Sequence, residues 1–382
     1  MHRLIQFTRF FYLSIFTKLT YGVLRRKKRV LPSGQASDTF KIVARYGRQS
    51  GITNGAIYNS LALEALGYKV EQVNITPAMR NPFKQIPCGE SGIFVFHCAA
   101  PDFLRFAWPL RRVFGSGKMV GYFAWEFADP PKDWPKYNDL WDEIWTPSSF
   151  SARSLAKLYD CPIRVVPHVL LKQGSPRAWK KSEEPLVFLS MADSRSSLAR
   201  KNPRAAVAAF RKAFPDESDV VLIIKLQAGR VTGEMEKLFS EIAVDPRIRV
   251  IQDTLSRADV DQLFLNAHVF VSLHRGEGFG LPLLEARLFG LATIATAWSG
   301  NLDFMSAQDS VLISCKLETT RDEGGVYGEI TWADPDVEAA AAAMRHFYRD
   351  PAYLAEIARA GWEASQPEKQ LAHLKEALKG YN

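Results

Sequence analysis

The sequence predicts an α/β protein made of two doubly wound, Rossmann-like domains. Short apolar runs alternate with amphipathic stretches from Phe40 onward, a pattern typical of strand–helix–strand units. The length of 382 residues exceeds what one hydrophobic core normally organises. A polar, proline-containing stretch at residues 171–184 separates two such sets and is predicted to be a linker. We expect the two domains to face each other across a ligand-binding cleft.

The predicted N-terminal domain covers residues 35–170. Its predicted strands lie within 41–47, 68–75, 92–98, 119–125, 143–147 and 163–170. A helix is expected over residues 54–67, with Gly67 at its C-cap, and another after an N-cap at Ser148 or Ser149. The C-terminal helix, about residues 367–382, is expected to pack back on this domain.

The predicted C-terminal domain covers residues 185–366. Its predicted strands lie at 185–191, 220–226, 248–253, 268–274 and 291–297. Helices are expected over residues 202–215, where Pro203 fits the first turn, and over 257–267. The strand HVFVSLH is apolar through most of its length, as buried parallel strands tend to be.

The net charge of +8 originates in the N-terminal segment. Residues 1–37 contain no acid and the following bases: Arg3, Arg9, Lys18, Arg25, Arg26, Lys27, Lys28 and Arg29. The 49 basic residues less these eight leave 41, equal to the 41 acids, so the rest of the chain is neutral and no nucleic-acid partner is expected. The four cysteines show no CxxC spacing, which favours a reducing compartment over a disulfide framework or zinc site.

Residues 1–34 are predicted to form an amphipathic, basic, membrane-seeking segment. Apolar residues recur there at helical spacing, and the cluster RRKKR follows at residues 25–29. Arg9 and Lys18 interrupt any run long enough to span a bilayer, so an interfacial helix on an anionic membrane is expected. A helix packed on its own domain or on a partner is the alternative. The predicted location is cytoplasmic, peripheral on the inner face of the cytoplasmic membrane.

The stretch HRGEGFGLPLLEARLFG, residues 274–290, contains the strongest functional signal. It places Glu277 and Glu285 where a glycine-rich loop follows an apolar strand and enters a helix. Free amide groups at such a helix start favour phosphate, whereas carboxylates bind vicinal hydroxyl groups. A nucleotide sugar offers both groups. One acid can therefore take sugar hydroxyls and the other ribose hydroxyls.

Cations for the diphosphate are expected at two other strand ends. Arg195, Arg200 and Lys201 lie between the strand PLVFLSM and the next helix. Lys225 ends the apolar strand VVLII, an uncommon place for a lysine. In a site without metal, such cations would stabilise the leaving diphosphate. No cofactor or metal is expected.

The sequence SLHRGEGFGLPLLEA resembles the signature of retaining GT-B glycosyltransferases of family 4, whose E-x7-E motif lies at the nucleotide-sugar site. RKNP, YFAWE, DEIWTPSSF and WADPDVEAAAAAMR extend the resemblance over about residues 40–365. It implies that Glu277 contacts the donor sugar and Glu285 the ribose. It also implies that residues 278–281 (Gly278, Phe279, Gly280 and Leu281) meet sugar and phosphates.

The same resemblance implies that Lys201 binds diphosphate and that Arg195 accompanies it. The chain departs from the family pattern at Asn202 and Pro203, where many relatives have glycine, and at Lys225, where relatives often have glycine.

On the acceptor side, many relatives carry a histidine after a central strand. This chain has Trp125 and Glu126 there, so Glu126 is predicted to orient the acceptor hydroxyl and Trp125 to contact a sugar, although it could be core alone. His97 is a second candidate. Gly55 belongs to a loop that resembles the glycine-rich loop near the donor phosphate and acceptor.

The resulting prediction is a metal-independent retaining hexosyltransferase. It would move a hexose, with mannose from GDP-mannose favoured, to a glycan or lipid-linked acceptor in surface polysaccharide or lipopolysaccharide biosynthesis. Glu277, Lys201 and Glu126 are the predicted catalytic residues. A nucleotide-sugar epimerase on the same fold, and a non-catalytic nucleotide-sugar or glycan-binding subunit, are the alternatives.

Overall fold

The computed structural model describes residues 17–27, 39–47, 50–81, 83–132, 134–172, 174–193, 197–227, 233–321 and 327–381. These residues form two compact units. Unit 1 comprises Met1–Ala124, Pro130–Leu171 and Leu371–Asn382, and unit 2 comprises Trp125–Asp129 and Lys172–Gln370. Two predictions fall partly or wholly outside the described residues, namely Arg195 and most of the segment 1–34.

Unit 1 alternates parallel strands with helices. Up to residue 165 its elements are α1 (residues 17–27), β1 (Thr39–Ala44), α2 (Gly51–Ala65), β2 (Lys69–Asn74), β3 (Ile93–His97), α3 (Phe103–Ala107), β4 (Lys118–Tyr122), β5 (Glu143–Thr146), α4 (Ser149–Leu155) and β6 (Ile163–Val165). Helix α2 begins at Gly51, earlier than expected, because the Ser50 side chain caps it by accepting from the Thr53 amide at 3.2 Å. Ser148 caps α4, which confirms one of the two predicted caps.

The sheet of unit 1 has the strand order β2-β1-β3-β4-β5-β6. Every pairing in it is parallel, and Phe40 in β1 is aligned with Val70 in β2 and Ile93 in β3. The order reverses between β1 and β3. At such a switch point the two following loops diverge to opposite faces and leave a crevice at the strand ends.

Unit 2 repeats this architecture and adds a hairpin. Its elements are β7 (Leu186–Asp193), α5 (Leu198–Lys201), α6 (Pro203–Ala213), β8 (Val220–Gln227), α7 (Gly233–Ile242), β9 (Ile248–Ile251), α8 (Arg257–Leu265), β10 (Val269–Ser272), α9 (Leu281–Leu288), β11 (Ala292–Thr296), β12 (Val311–Ile313), β13 (Cys315–Arg321), β14 (Glu329–Pro335), α10 (Val337–Arg349) and α11 (Pro351–Ala364). The order β12-β11-β10-β7-β8-β9 places the switch point between β7 and β10. Strands β13 and β14 pair antiparallel as a separate ribbon.

The last helix, α12 (Pro367–Ala377), leads into the core of unit 1. Leu374, Leu378 and Tyr381 are buried there, and the Tyr381 ring packs against Phe40 and Trp145 with centroids 5.8 and 5.4 Å apart. Residues 371–382 therefore belong to unit 1, whereas the rest of the preceding chain from Lys172 belongs to unit 2.

Helix α1 packs on unit 1. Thr20 and Leu24 are fully buried, and the Tyr21 hydroxyl donates to both carboxylate oxygens of Asp139 at 2.7 and 2.8 Å. Arg25 Nε lies 2.7 Å from Asp139 Oδ2. One face of this part of the predicted amphipathic segment is thus occupied by protein, while Lys18 and Leu19 stay exposed. None of the described helices is long and apolar enough to cross a membrane.

Candidate active site

The switch point of unit 2 brings together the segments that follow β7 and β10. The Arg275 amide donates to the Arg200 carbonyl oxygen at 2.8 Å, and Asn202 Nδ2 donates to the Leu273 carbonyl oxygen at 3.0 Å. These bonds fix the cationic segment at 200–202 against the glycine-rich loop that begins at His274. Topology thus places Lys201 and Glu277, far apart in sequence, at one end of one sheet.

The backbone at Asn202 explains a departure from the family pattern. Its φ of 51° and ψ of 49° lie in the left-handed region, which allows α5 to end and α6 to begin at once. Glycine adopts this region freely, and asparagine is among the side chains that tolerate it best. Asn202 therefore supplies the same turn that glycine would, and Pro203 fits the first turn of α6.

Two glycines of the loop are required by geometry. A Cβ atom on Gly276 would lie 2.5 Å from the carbonyl oxygen of Glu126, so only glycine allows this backbone approach. Gly280 has φ of 100° and precedes α9, whose first residues include Pro282. The backbone amide of Glu277 donates a hydrogen bond to Ser299 Oγ at 2.9 Å, which holds the loop to the segment after β11.

Glu277 is a buried carboxylate held by two cations. Only 7% of the residue is exposed, and Oε1 is ion-paired with Lys201 Nζ. Oε2 lies 3.6 Å from Arg200 Nη1. Lys201 retains partial exposure, with 16% of its side chain accessible, whereas the Arg200 side chain is 4% exposed. Lys201 is therefore the cation of this pair that an incoming anion can reach.

Arg200 connects a second acid and a tyrosine to the same cluster. Its Nη1 donates to the Gly276 carbonyl oxygen at 2.6 Å, and its Nη2 lies 3.5 Å from Glu126 Oε1. Its Nε donates to the Tyr327 hydroxyl at 3.2 Å. Two of the predicted catalytic residues, Glu277 and Glu126, thus lie beside one guanidinium group, and the third, Lys201, pairs with Glu277.

Sequence reasoning missed Tyr327 and gave Arg200 no role beyond that of a candidate cation for the diphosphate. Tyr327 lies between β13 and β14, away from any motif. Burial opposes the charge of Arg200, but Tyr327, Glu126 and Glu277 outweigh that effect and raise the pKa of Arg200. Burial likewise raises the pKa of Tyr327 to about 12, so its hydroxyl stays protonated at neutral pH.

The surrounding charges keep Glu277 ionised. Burial alone would raise its pKa, but Lys201 and Arg200 reverse that effect and lower the pKa to about 2. An ionised carboxylate accepts hydrogen bonds and cannot donate a proton. At neutral pH Glu277 is therefore suited to binding hydroxyl groups and unsuited to general acid catalysis.

This low pKa predicts a pH dependence of stability. The ordinary pKa of 4.5 falls to about 2 on folding, so the carboxylate stabilises the folded state above pH 4.5, and that contribution is lost as the pH falls toward 2. We expect the urea midpoint of the native protein to fall more steeply between pH 4.5 and 2.5 than that of Glu277→Gln. Glu183→Gln, at a carboxylate 61% exposed, is the control and should follow the native profile. Parallel profiles for the native protein and Glu277→Gln would contradict the assignment.

Glu285 lies in α9 and belongs to a different charge cluster. It is 6% exposed, and Oε1 accepts from Arg257 Nη1 at 2.7 Å. Arg257 is the first residue of α8 and also pairs with Asp261. A cation at a helix start is unfavourable unless an acid compensates it. A predicted helix that begins with Arg257 therefore indicates that an acid lies close to this side chain.

The other predicted donor-side residues are placed as follows. Lys225, at the end of β8, is 5% exposed and its Nζ donates to the Leu226 carbonyl oxygen at 2.9 Å. Phe279 is buried, and its ring packs on Phe304 with centroids 4.9 Å apart. Gly278 lies against Gly300, and Leu281 begins α9. Arg195 lies outside the described residues.

Trp125 and Glu126, predicted as part of the N-terminal domain, group with unit 2. The Trp125 ring meets the rings of Phe127 and Tyr327 edge to face, each at 5.6 Å, and its Nε1 donates to the Asp129 carbonyl oxygen at 2.8 Å. The residue is only 5% exposed. These contacts favour the core role for Trp125 over the sugar-stacking role.

His97 lies at the switch point of unit 1, whereas the prediction of a loop at Gly55 is wrong, because Gly55 lies within α2, which Ser50 caps. His97 ends β3 and stacks on Tyr122 with centroids 4.2 Å apart, while a Cβ on Gly55 would lie 2.6 Å from His168 Cε1. Tyr122 and His168 are in turn neighbours, with a ring distance of 5.3 Å. Burial, reinforced by His168, lowers the pKa of His97 well below its ordinary value, so its ring is neutral at physiological pH.

A metal site is not evident in the part of the chain that the structure describes. No group of three or more His, Cys, Asp or Glu side chains there is placed to hold a metal ion. The Asp259–Asp261 pair, which has the form of a metal-binding DxD motif, lies in α8. Asp259 completes the capping box with the N-cap Ser256, and Asp261 pairs with Lys172 at 2.8 Å and with Arg257.

Comparison with known proteins identifies the fold. Residues 173–318 match the family described as "Glycosyl transferases group 1", a range that contains Lys201, Glu277 and Glu285. No curated protein matches the sequence closely enough to count as a relative.

Three similar solved structures illustrate the likeness. Anabaena HepE in complex with UDP and glucose has 12% identity and a TM-score of 0.61, and the alignment covers 90% of this chain and 99% of that one. A glycosyltransferase from Rickettsia africae has 14% identity and a TM-score of 0.60, with the same coverage. The pneumococcal O-GlcNAc transferase GtfA in complex with UDP and GlcNAc has 14% identity and a TM-score of 0.54 over 80% of this chain, which spans 59% of GtfA. The fold is GT-B, as predicted.

Proposed function

We propose that this protein is a retaining, metal-independent glycosyltransferase that transfers a hexose from a nucleoside diphosphate sugar to a hydroxyl group of a glycan or lipid-linked acceptor. The supporting observation is the buried, ionised Glu277 that Lys201 and Arg200 hold at the switch point of unit 2. The GT-B fold and the group 1 region agree with this proposal. The chain spans only part of GtfA, so the activity of that protein is a guide and no more.

The site offers complementary partners for both halves of a donor. Glu277 accepts hydrogen bonds from sugar hydroxyls, and Glu285 accepts them from the ribose diol. Lys201, the more exposed cation, shifts its ion pair from Glu277 toward the donor diphosphate and stabilises the charge that develops on the leaving group. The start of α9 adds backbone amide groups aligned with the helix dipole.

The acceptor hydroxyl is assigned to Glu126. This carboxylate is held near Glu277 by their shared partner Arg200, and 24% of its side chain remains exposed. It can therefore accept a hydrogen bond from a hydroxyl group while staying anchored. Retention would follow the family scheme of same-face attack through an oxocarbenium-like state, in which donor phosphate helps to remove the acceptor proton.

Two donor nucleotides are candidates, GDP and UDP. The sequence favoured mannose from GDP-mannose, whereas HepE and GtfA were solved with UDP. Both nucleotides therefore enter the test below. The proposed setting, surface polysaccharide or lipopolysaccharide assembly at the inner face of the cytoplasmic membrane, rests on the basic segment 1–34 and on an acceptor borne by lipid.

The two alternatives differ in what they turn over. An epimerase would convert a nucleotide sugar without any acceptor. A binding subunit would retain the nucleotide and convert nothing, and Glu277→Gln would change its affinity alone.

The proposal predicts a selective thermal shift. Among GDP, UDP and ADP with their sugars, we expect one nucleotide to stabilise the protein by about 3 kcal/mol when present at about 100 times its Kd. Glu285→Gln should reduce that shift because an amide offers the ribose diol one acceptor oxygen where the carboxylate offers two, and Glu183→Gln, at a carboxylate 61% exposed, should not. The preferred sugar nucleotide is then incubated with glycan and lipid-linked acceptors, with and without EDTA. Absence of a shift with every nucleotide would contradict the proposal, and loss of transfer on chelation would contradict metal independence.

A further inference from the structure

A basic surface with an exposed aromatic ring lies on unit 1, apart from the site described above. It consists of Phe83, Lys84, Trp108, Arg111 and Arg112, and is called the Phe83 patch below. Phe83 is 85% exposed, the most exposed large apolar side chain among the described residues. The exposed ring and the bases beside it together form a surface that suits a partner both apolar and anionic.

Three contacts hold the patch together. Arg111 Nη2 donates to the Phe83 carbonyl oxygen at 3.2 Å, and Arg111 Nη1 donates to the Trp108 carbonyl oxygen at 3.0 Å. The Arg111 guanidinium also stacks over the Trp108 ring at 4.7 Å. Arg111 therefore ties the loop that bears Phe83 to the turn after α3. The patch is a fixed surface in which two separate segments present their side chains together.

The positive charge of the patch is not neutralised by the protein. In the described part of the chain, the side chains of Lys84 and Arg112 are exposed and form neither a hydrogen bond nor an ion pair. Burial and the nearby charge of Arg112 lower the pKa of Arg111, although a guanidinium still remains charged at neutral pH.

A series of ring contacts in unit 1 links α1 to the helix that precedes Trp108. Tyr21 of α1 packs on Tyr137 at 5.2 Å, Tyr137 packs on Phe103 at 6.3 Å, and Phe103 begins the helix that leads to Trp108. Helix α1 leaves Leu19 62% exposed beside the exposed Lys18. Two separate parts of unit 1 thus combine exposed bases with an exposed apolar side chain.

We propose that the Phe83 patch is a second membrane-contact site, at which Phe83 enters the interface of an anionic bilayer while Lys84, Arg111 and Arg112 meet lipid headgroups. An aromatic ring favours the bilayer interface, and bases nearby gain from the negative surface potential. The site is independent of residues 1–34 and of donor binding. Together the two contacts would set the orientation of unit 1 on the membrane, which one anchoring segment cannot do.

The test measures partition of the full chain into vesicles. Phe83→Ser/Lys84→Gln/Arg112→Gln removes one exposed apolar side chain and two charges but keeps Arg111, which holds the loop. Leu317→Ser/Lys316→Gln/Arg321→Gln on β13 is the matched control, since it removes the same groups from an exposed strand, where Leu317 is 51% accessible. Partition is measured on phosphatidylcholine vesicles with and without 30 mol% phosphatidylglycerol. Residues 1–34 are also proposed to bind the membrane. Both triple variants are therefore measured again in a protein that also carries Lys18→Gln/Arg26→Gln/Lys27→Gln.

Each base close to an anionic surface raises the partition constant about fivefold. Loss of two bases should therefore make the patch variant bind anionic vesicles roughly 25-fold more weakly than the native chain. The β13 control should bind as the native chain does. The thermal shift with the preferred nucleotide should be unchanged in both, which separates this inference from the proposed transferase function. Equal loss in the two triple variants, or undiminished binding by the patch variant in both backgrounds, would overturn the inference. Equal binding of the native chain to neutral vesicles would do so as well.

Discussion

Lys201→Met is expected to lower kcat by about 100- to 1,000-fold. Lys201 is the exposed cation of the Glu277 cluster, and loss of one preorganised charge at the place where the leaving group becomes negative typically costs about 3–4 kcal/mol of transition-state stabilisation. Methionine preserves the apolar stem, so the change removes chiefly the charge. Initial rates of hexose transfer at saturating donor and acceptor measure the effect.

The division between kcat and KM shows which role Lys201 has. Stabilisation of the leaving diphosphate lowers kcat, whereas equal contact with ground state and transition state raises KM alone. Lys180→Met is the control, because Lys180 is 64% exposed in a surface pair with Glu183 and should leave both constants within about twofold. A Lys201→Met enzyme with native kcat would refute the assigned role, whatever its KM.

The fold was predictable because its strands are apolar and its helices amphipathic. Buried parallel strands such as β10 read as continuous apolar runs, and Ser148 at an N-cap and Pro203 in a first helical turn mark helix starts locally. The ribbon β13–β14 was not predicted. Most residues of β13 are exposed, so the sequence of that strand shows no alternation of apolar and polar residues that would mark a buried face.

The site was predictable only as far as its residues share a local motif. Glu277 stands in a glycine-rich loop after a buried strand, and Lys201 precedes a helix start, so each has a recognisable context. The burial of Arg200 beside the more exposed Lys201 could be seen only in the structure. Both lie in a four-residue helix, and periodicity over one turn does not decide which side chain points inward.

Partners from distant segments were beyond sequence reasoning. Arg200 contacts Glu126 and Tyr327. Glu126 lies in the loop after β4, and Tyr327 lies between strands β13 and β14. Trp125 has the sequence context of a strand end, yet its ring packs with Phe127 and Tyr327. These contacts depend on tertiary structure, and no local rule contains them.

Arg200→Met is expected to cost about 3–5 kcal/mol of folding stability. Its guanidinium is almost fully buried and has four different partners in unit 2, namely the Gly276 carbonyl oxygen, Glu126, Glu277 and Tyr327. Removing one member of a buried charge cluster leaves the others with uncompensated charge. The loss is measured by urea unfolding, or as a fall in Tm of roughly 6–20 °C for a unit of this size.

Two comparison variants separate this effect from the loss of an ordinary ion pair. Arg204→Met removes a guanidinium that pairs with Glu241 but is 39% exposed, and it should cost no more than about 1 kcal/mol. Arg200→Lys keeps the charge without the planar fork, so it should restore only part of the stability. If Arg200 also keeps Glu277 ionised, the acid-induced loss of stability in Arg200→Met should be smaller and should end at a higher pH than in the native protein, because the folded pKa of Glu277 rises toward its ordinary value of 4.5. Equal losses in Arg200→Met and Arg204→Met, or an unshifted acid profile, would show that Arg200 does not organise the site.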